Sequence, residues 1–141
     1  MPSEPELIIA KCRASSTASD PAYRTALKCG RHESVADERP SRGGQDAGPM
    51  PFEYVLGGLG ACTAITLRMY AQRKGWEIGT VDVSVALHQG RESRHVERRV
   101  ILSGALSDEQ RERLAEICEK TPVTLVVKAG IPVNTRLTAS A

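Results

Sequence analysis

The chain has 141 residues, 40% apolar and 26% charged, with a net charge of +2. That length is one ordinary domain with no room for a large catalytic barrel, and that balance belongs to a globular protein rather than a disordered tail. Only five aromatic residues are present, and fourteen Arg and five Lys are scattered among seventeen acids, so base-stacking platforms and single-sign blocks are excluded and no nucleic-acid partner is expected.

No stretch approaches the roughly 18 consecutive apolar residues of a membrane span, and Met1-Pro2-Ser3-Glu4-Pro5-Glu6 lacks the basic region and apolar run of a signal peptide. The expectation is a cytoplasmic protein with no membrane partner. Cys12, Cys29, Cys62 and Cys118 form no C-x-x-C pair, which removes zinc-ribbon and thioredoxin spacings. In a reducing cytosol they are expected to be separate thiols rather than a disulfide framework. Cys12 and Cys29, in the N-terminal strands, are read as structural. His32, His88 and His95 have no mutual metal spacing.

In chain order, Leu7 to Ala14 and Tyr23 to Lys28 are short apolar or alternating runs separated by Ser15-Ser16-Thr17-Ala18-Ser19-Asp20-Pro21, which predicts an N-terminal hairpin. His32 to Ala36 reads as a further strand, and the Pro- and Gly-rich segment Asp37 to Pro51 as a loop. From Pro51 the period changes: Phe52, Val55, Leu56, Leu59, Cys62, Ile65, Thr66, Met69 and Tyr70 recur at three and four, predicting a helix over 51–74 that Gly75 ends. Gly57, Gly58 and Gly60 inside it each cost about 1 kcal/mol relative to Ala. Close packing against another helix, or against a second copy of this one, is the expected compensation.

Val81 to Leu87 alternates strictly, His95 to Gly104 reads as its antiparallel partner, and Gln89 to Arg94 as the turn between them. Ser107-Asp108-Glu109-Gln110 is a capping box that opens a second helix carrying Leu114, Ile117 and Cys118. Pro122 breaks the chain near Lys120 or Thr121, Thr124 to Val127 is a short apolar run, and Ile131 to Leu137 is placed as an edge strand. The order is strands, long helix, hairpin, helix, strand, which is α+β in a single domain over 1–141.

Cys62 sits mid-helix on the apolar stripe, where an inert core thiol is the ordinary occupant. To react it must become a thiolate, and a mid-helix position gains nothing from the helix N-terminus, so a fixed cation is required. Arg39 and Arg42 precede Gly43-Gly44, and Glu53 in the first turn can orient a guanidinium. Glu53 and Cys62 are nine residues apart, roughly 13 Å along a helix axis, so an arginine must lie between them or the pair must act across subunits.

The segment Gly43-Gly44-Gln45-Asp46-Ala47-Gly48-Pro49-Met50-Pro51-Phe52-Glu53-Tyr54-Val55-Leu56-Gly57-Gly58-Leu59-Gly60-Ala61-Cys62-Thr63, followed by Leu67-Arg68-Met69-Tyr70-Ala71, resembles the core motif of the OsmC/Ohr family of osmotically inducible and organic hydroperoxide resistance proteins. The likeness continues through the Val81 hairpin to Thr121-Pro122-Val123. It implies an intertwined α+β homodimer with antiparallel sheets around a long central helix. It also implies a thiol-dependent peroxidase that reduces organic hydroperoxides through a sulfenic acid on the peroxidatic cysteine. Cys62 matches that cysteine, and Glu53 matches the acid that holds the catalytic arginine, although Phe52 stands where many members keep that acid. Arg42 corresponds to the arginine of the osmotically inducible branch. The other branch takes its arginine from an earlier strand, where Arg24 or Arg31 would serve.

At the family's resolving cysteine this chain carries Thr121, within Lys120-Thr121-Pro122-Val123-Thr124. Cys118 is the candidate substitute if the turn between them is helical; otherwise an external thiol or dithiol is the resolving partner. Phe52, Leu56, Leu59 and Met69 are the expected apolar lining for an alkyl hydroperoxide. No metal or organic cofactor is expected, because sulfur supplies the two electrons. The absent family Cys and His favour an alternative: a non-catalytic member that binds a small apolar ligand or a protein partner in the cleft.

Overall fold

The computed structural model describes residues 3–139; Met1 and Pro2, with which the signal-peptide reading began, and residues 140 and 141 of the domain range lie outside them. The chain divides into two compact units, Met1–Val55 and Leu56–Ala141. No helix among the described residues is long and apolar enough to cross a membrane.

The first unit is a three-stranded antiparallel sheet, β1 (Cys12–Ser15), β2 (Thr25–Cys29) and β3 (His32–Ala36), in that spatial order. The expected hairpin is present, although residues 7–11 stay outside β1, and β3 has the bounds that its sequence predicts. One expectation is overturned: Cys12 and Cys29 are cross-strand partners joined by a disulfide. The register of β1 on β2 brings their Cα atoms to 4.1 Å, which a 17-residue sequence separation does not reveal.

The loop after β3 closes on Asp37. Its buried carboxylate accepts N–H donors from Glu38 at 2.7 Å, Gln45 at 3.2 Å and Ala47 at 3.1 Å, which folds the Gly-rich segment back over the strand end. A Cβ on Gly44 would lie 1.9 Å from the Glu38 carbonyl oxygen, so that return path admits only glycine. Burial pushes the Asp37 carboxyl up, but the three backbone donors, with Arg24, outweigh it and hold the carboxyl below its ordinary value. A depressed folded value makes the ionised group stabilising above the ordinary carboxyl range, about pH 4, and that contribution disappears as the pH falls through the folded value. Asp37→Asn is therefore expected to lower the urea midpoint near neutral pH, and the difference from wild type is expected to shrink progressively as the pH is lowered below about 4, as urea titrations across that range will measure.

Helix α1 runs from Pro51 to Lys74, the predicted bounds. Pro51 opens it where a missing N–H costs nothing, and Gly75 closes it with φ 69°. In the second unit, β4 (Val81–Gln89) and β5 (Arg94–Leu102) form the predicted hairpin, with Val81, Val83, Val85 and Leu87 half-buried and the intervening residues exposed. Helix α2 (Asp108–Cys118) starts at the complete Ser107/Gln110 capping box. Its core gathers Leu67, Tyr70 and Ala71 of α1, Ile78, and Leu114 and Cys118 of α2, against Val81, Val100 and Leu102 of the hairpin. Gly60 is close-packed, but against Val85 of β4 rather than a helix: an added Cβ would meet its methyl at 3.3 Å, whereas Gly57 and Gly58 face open space.

The C-terminal region departs from expectation. The apolar run at 124–127 is helical, part of α3 (Pro122–Ala129), and residues 131–137 form no strand. Thr121 is the N-cap, accepting the Thr124 N–H, and Pro122 occupies the first helical position, so the residue read as a break is a helix start. The isolated segment from Ile131 to Leu137 has no strand neighbour to supply ladder hydrogen bonds.

Candidate active site

Glu53 lies in the first turn of α1. One carboxylate oxygen accepts the Met50 N–H at 3.0 Å, and the other faces the Arg39 guanidinium at 3.6 Å. Both side chains are about half exposed, so this pair positions more than it stabilises. Arg42 ends a short 3-10 turn (Pro40–Arg42), donates its backbone N–H to the Arg39 carbonyl at 2.9 Å, and has no ion pair among the described residues. Thus the guanidinium paired with Glu53 is that of Arg39. Phe52, one position earlier, is 38% exposed.

In the second unit Cys62 is a free, half-buried thiol on α1, its Sγ 4.0 Å from the Thr66 hydroxyl one turn on. Leu59 is buried, Leu56 half-buried and Met69 exposed, so of the expected apolar lining in this unit Leu59 is the residue enclosed in the fold. Leu59 contributes, with Val96, Arg98, Thr124 and Val127, to the wall of a cavity of about 650 Å³.

The residue that the sequence reading passed over is Arg98. It occupies the inward face of β5 between Val96 and Val100, and its side chain is 12% exposed. Its guanidinium donates to the Thr63 hydroxyl at 3.0 Å, the Thr124 hydroxyl at 2.7 Å and the Cys118 carbonyl at 2.8 Å, and lies 3.5 Å from a Glu119 carboxylate oxygen that also faces it as an ion pair. Thr121, fully buried, shares a 2.6 Å hydrogen bond with Thr124. A continuous polar chain therefore links Thr121, through Thr124 and Arg98, to Thr63, the residue next to Cys62. The signal was a charged residue at an apolar register position of a strand that otherwise alternates cleanly.

Cys118 belongs to the core, 8% exposed. The helical turn that would align it with position 121 is absent: α2 ends at Cys118, Glu119 caps it, and Thr121 is extended with φ −67° and ψ 148°. Burial pushes the Cys118 thiol up, and the nearby Arg98 charge only partly opposes this. Iodoacetamide at neutral pH is expected to label Cys118 at least about a hundredfold more slowly in the folded protein than in urea, because both thiolate fraction and access fall; peptide mapping of timed samples measures the ratio.

Residues 43–136 match the family model described as OsmC-like protein. No curated protein matches the chain. Among solved structures, an OsmC-like protein from Mycoplasma pneumoniae has a TM-score of 0.71 at 15% identity, over 86% of this chain and 88% of that one. The organic hydroperoxide resistance protein OsmC of Legionella pneumophila has a TM-score of 0.66 at 16% identity, over 89% and 93%. The organic hydroperoxide resistance protein OhrB of Bacillus subtilis gives 0.58 at 16%, over 89% and 94%. These likenesses carry the α+β fold with its antiparallel sheets and long helix, and the match over more than half of the sequence carries the kinship: the chain belongs to the OsmC-like protein family.

Proposed function

We propose that this protein is a cytoplasmic, homodimeric thiol-dependent peroxidase that reduces organic hydroperoxides at Cys62. The observation that carries the reading is a free, half-buried thiol at Cys62, on the long helix inside the family-matched segment, in a chain whose structural relatives include proteins named for organic hydroperoxide resistance. The Cys62 thiolate attacks the distal peroxide oxygen, the O–O bond breaks, and the alkoxide leaves as alcohol after taking a proton; sulfur loses two electrons and becomes sulfenic acid. A thiol then condenses with it, releasing water, and a second thiol regenerates Cys62 and leaves as the external disulfide. Arg42 is the proposed cation for the thiolate and developing alkoxide, with Arg39, already oriented by Glu53, as the alternative. Leu56, Leu59, Phe52 and Met69 are the proposed apolar contacts for the alkyl group. Exposed Ile65 and Met69 on α1, 58% and 59% accessible, support burial against a second copy.

Wild-type protein with cumene hydroperoxide and a dithiol is expected to consume peroxide catalytically; inactivity towards every hydroperoxide tested would overturn the reading. A second reading, a non-catalytic binding protein, is favoured by one observation: the resolving position is a buried threonine committed to hydrogen bonds. The pH dependence of Cys62 alkylation separates the two. Ionisation well below pH 7 supports catalysis, and ionisation at or above about 8.5 supports binding.

A further inference from the structure

The disulfide of the first unit has a neighbour that makes it more than a staple. Cys29 is the register partner of Cys12 on one side and of His32 on the other, so the three side chains form one row across β1, β2 and β3 on the same face of the sheet. Directly opposed side chains of antiparallel strands have Cβ atoms about 4.5–5.5 Å apart, so Cys29 and His32 are cross-strand neighbours on that face, within side-chain reach of each other. All three residues are exposed, and the row ends the sheet at the two-residue loop Gly30-Arg31. β1 is an edge strand of four residues, so a solvent-borne nucleophile reaches the bond without opening a core.

The surrounding charge is lopsided. Lys11 precedes the row on β1 and Arg31 precedes it on β3; on the next rung Arg13, Lys28 and Glu33 are register partners on the opposite face. This end of the sheet therefore carries four cations against one carboxylate, a net positive charge that attracts an anionic reagent.

We propose that Cys12–Cys29, with His32, is a thiol–disulfide exchange site for anionic low-molecular-mass thiols. The attacking thiolate bonds to the Cys12 sulfur, the Cys12–Cys29 bond breaks, and Cys29 leaves as a thiolate that takes its proton from the His32 imidazolium. A second thiolate attacks the mixed disulfide at the small-molecule sulfur, releasing the external disulfide and a Cys12 thiolate that takes a proton from water. Two electrons pass from two external thiols to the pair, and the reverse sequence re-oxidises Cys12 and Cys29 while reducing the external disulfide to two thiols. The site uses neither Cys62 nor Cys118.

The test is done on full-length Cys62→Ser protein, so that it stands apart from the peroxidase reading. The oxidised protein is incubated with millimolar reduced glutathione, quenched with acid, alkylated, and mapped by mass spectrometry. The expected results are a reduced Cys12/Cys29 pair, a glutathione adduct confined to Cys12, and faster exchange with glutathione than with the cationic thiol cysteamine at equal thiolate concentration, the difference shrinking in high salt. His32→Ala is expected to slow exchange about tenfold at neutral pH, because Cys29 becomes a poorer leaving group, and to flatten the pH dependence of the rate, because the proton donor is gone. If His32→Ala does not fold, His32→Gln gives the same comparison. A pair that stays oxidised in glutathione, an adduct on Cys29 instead of Cys12, equal rates for both thiols, or an unchanged pH profile in the His32 variant would each overturn the proposal.

Discussion

Cys62→Ser is expected to abolish hydroperoxide turnover, by roughly a thousandfold or more, because a serine hydroxyl can neither ionise at neutral pH nor pass through a sulfenic acid. Cys118→Ser is expected to retain the wild-type rate with a dithiol reductant. The reason lies in the fold: Cys118 is packed among Leu67, Tyr70 and Leu114, its thiol is pushed up by burial, and the chain leaves the helix immediately after it. The thiol that resolves Cys62 must then come from outside the chain. The measurement is peroxide consumption by both variants, with mass spectrometry of peroxide-treated protein before reductant is added. Loss of turnover in Cys118→Ser, with sulfenic acid accumulating on Cys62, would make Cys118 the resolving residue instead.

How far the fold could be read beforehand varied with the kind of signal each segment carried. β3, α1 and the Ser107 cap came out at their predicted bounds because each has a local mechanism: strong alternation and turn residues, a three-four apolar period closed by Gly75, and a side chain with an N–H to accept. Helix α3 did not. Thr124 to Val127 reads only as a short apolar run of mostly β-branched residues, with no helical period to mark it, yet Thr121 as N-cap and Pro122 at the first position pre-organise a helix of eight residues. The Cys12–Cys29 bond depends on a strand register that spacing cannot supply, so the expectation of separate thiols fails for this pair. For the candidate site, the placement of Glu53 in the first turn of α1 and of Cys62 in its middle was legible from the helical period. The partnership of Glu53 with Arg39 was not, because four candidate arginines look alike until the turn at Pro40 is built.

Arg98→Ala is expected to destabilise the protein by about 2–4 kcal/mol, a large share of a typical domain's margin. The substitution removes the donor that joins four elements: β5 itself, Thr63 of α1, the last carbonyl of α2 and Thr124 of α3. The cost falls unevenly among them. Thr63 still donates to the Leu59 carbonyl at 2.7 Å and Thr124 still shares its bond with Thr121, so both hydroxyls keep a partner. The Cys118 carbonyl loses the guanidinium donor at the C-terminal end of α2, where intrahelical partners are already lacking, and the removed side chain leaves space next to Val96 and Val100. Glu119 loses one cation and keeps Lys128, which limits the electrostatic part. Arg98→Lys should recover only part of the loss, since a single ammonium cannot reach the threonines and the carbonyl with the fixed spread of a guanidinium. For a chain of this length the alanine variant should melt roughly 6–12 °C lower, with lysine between it and wild type. Differential scanning calorimetry of the three proteins measures the order, and an alanine variant as stable as wild type would mean that the polar chain from Thr121 to Thr63 is held by packing of the helices rather than by Arg98.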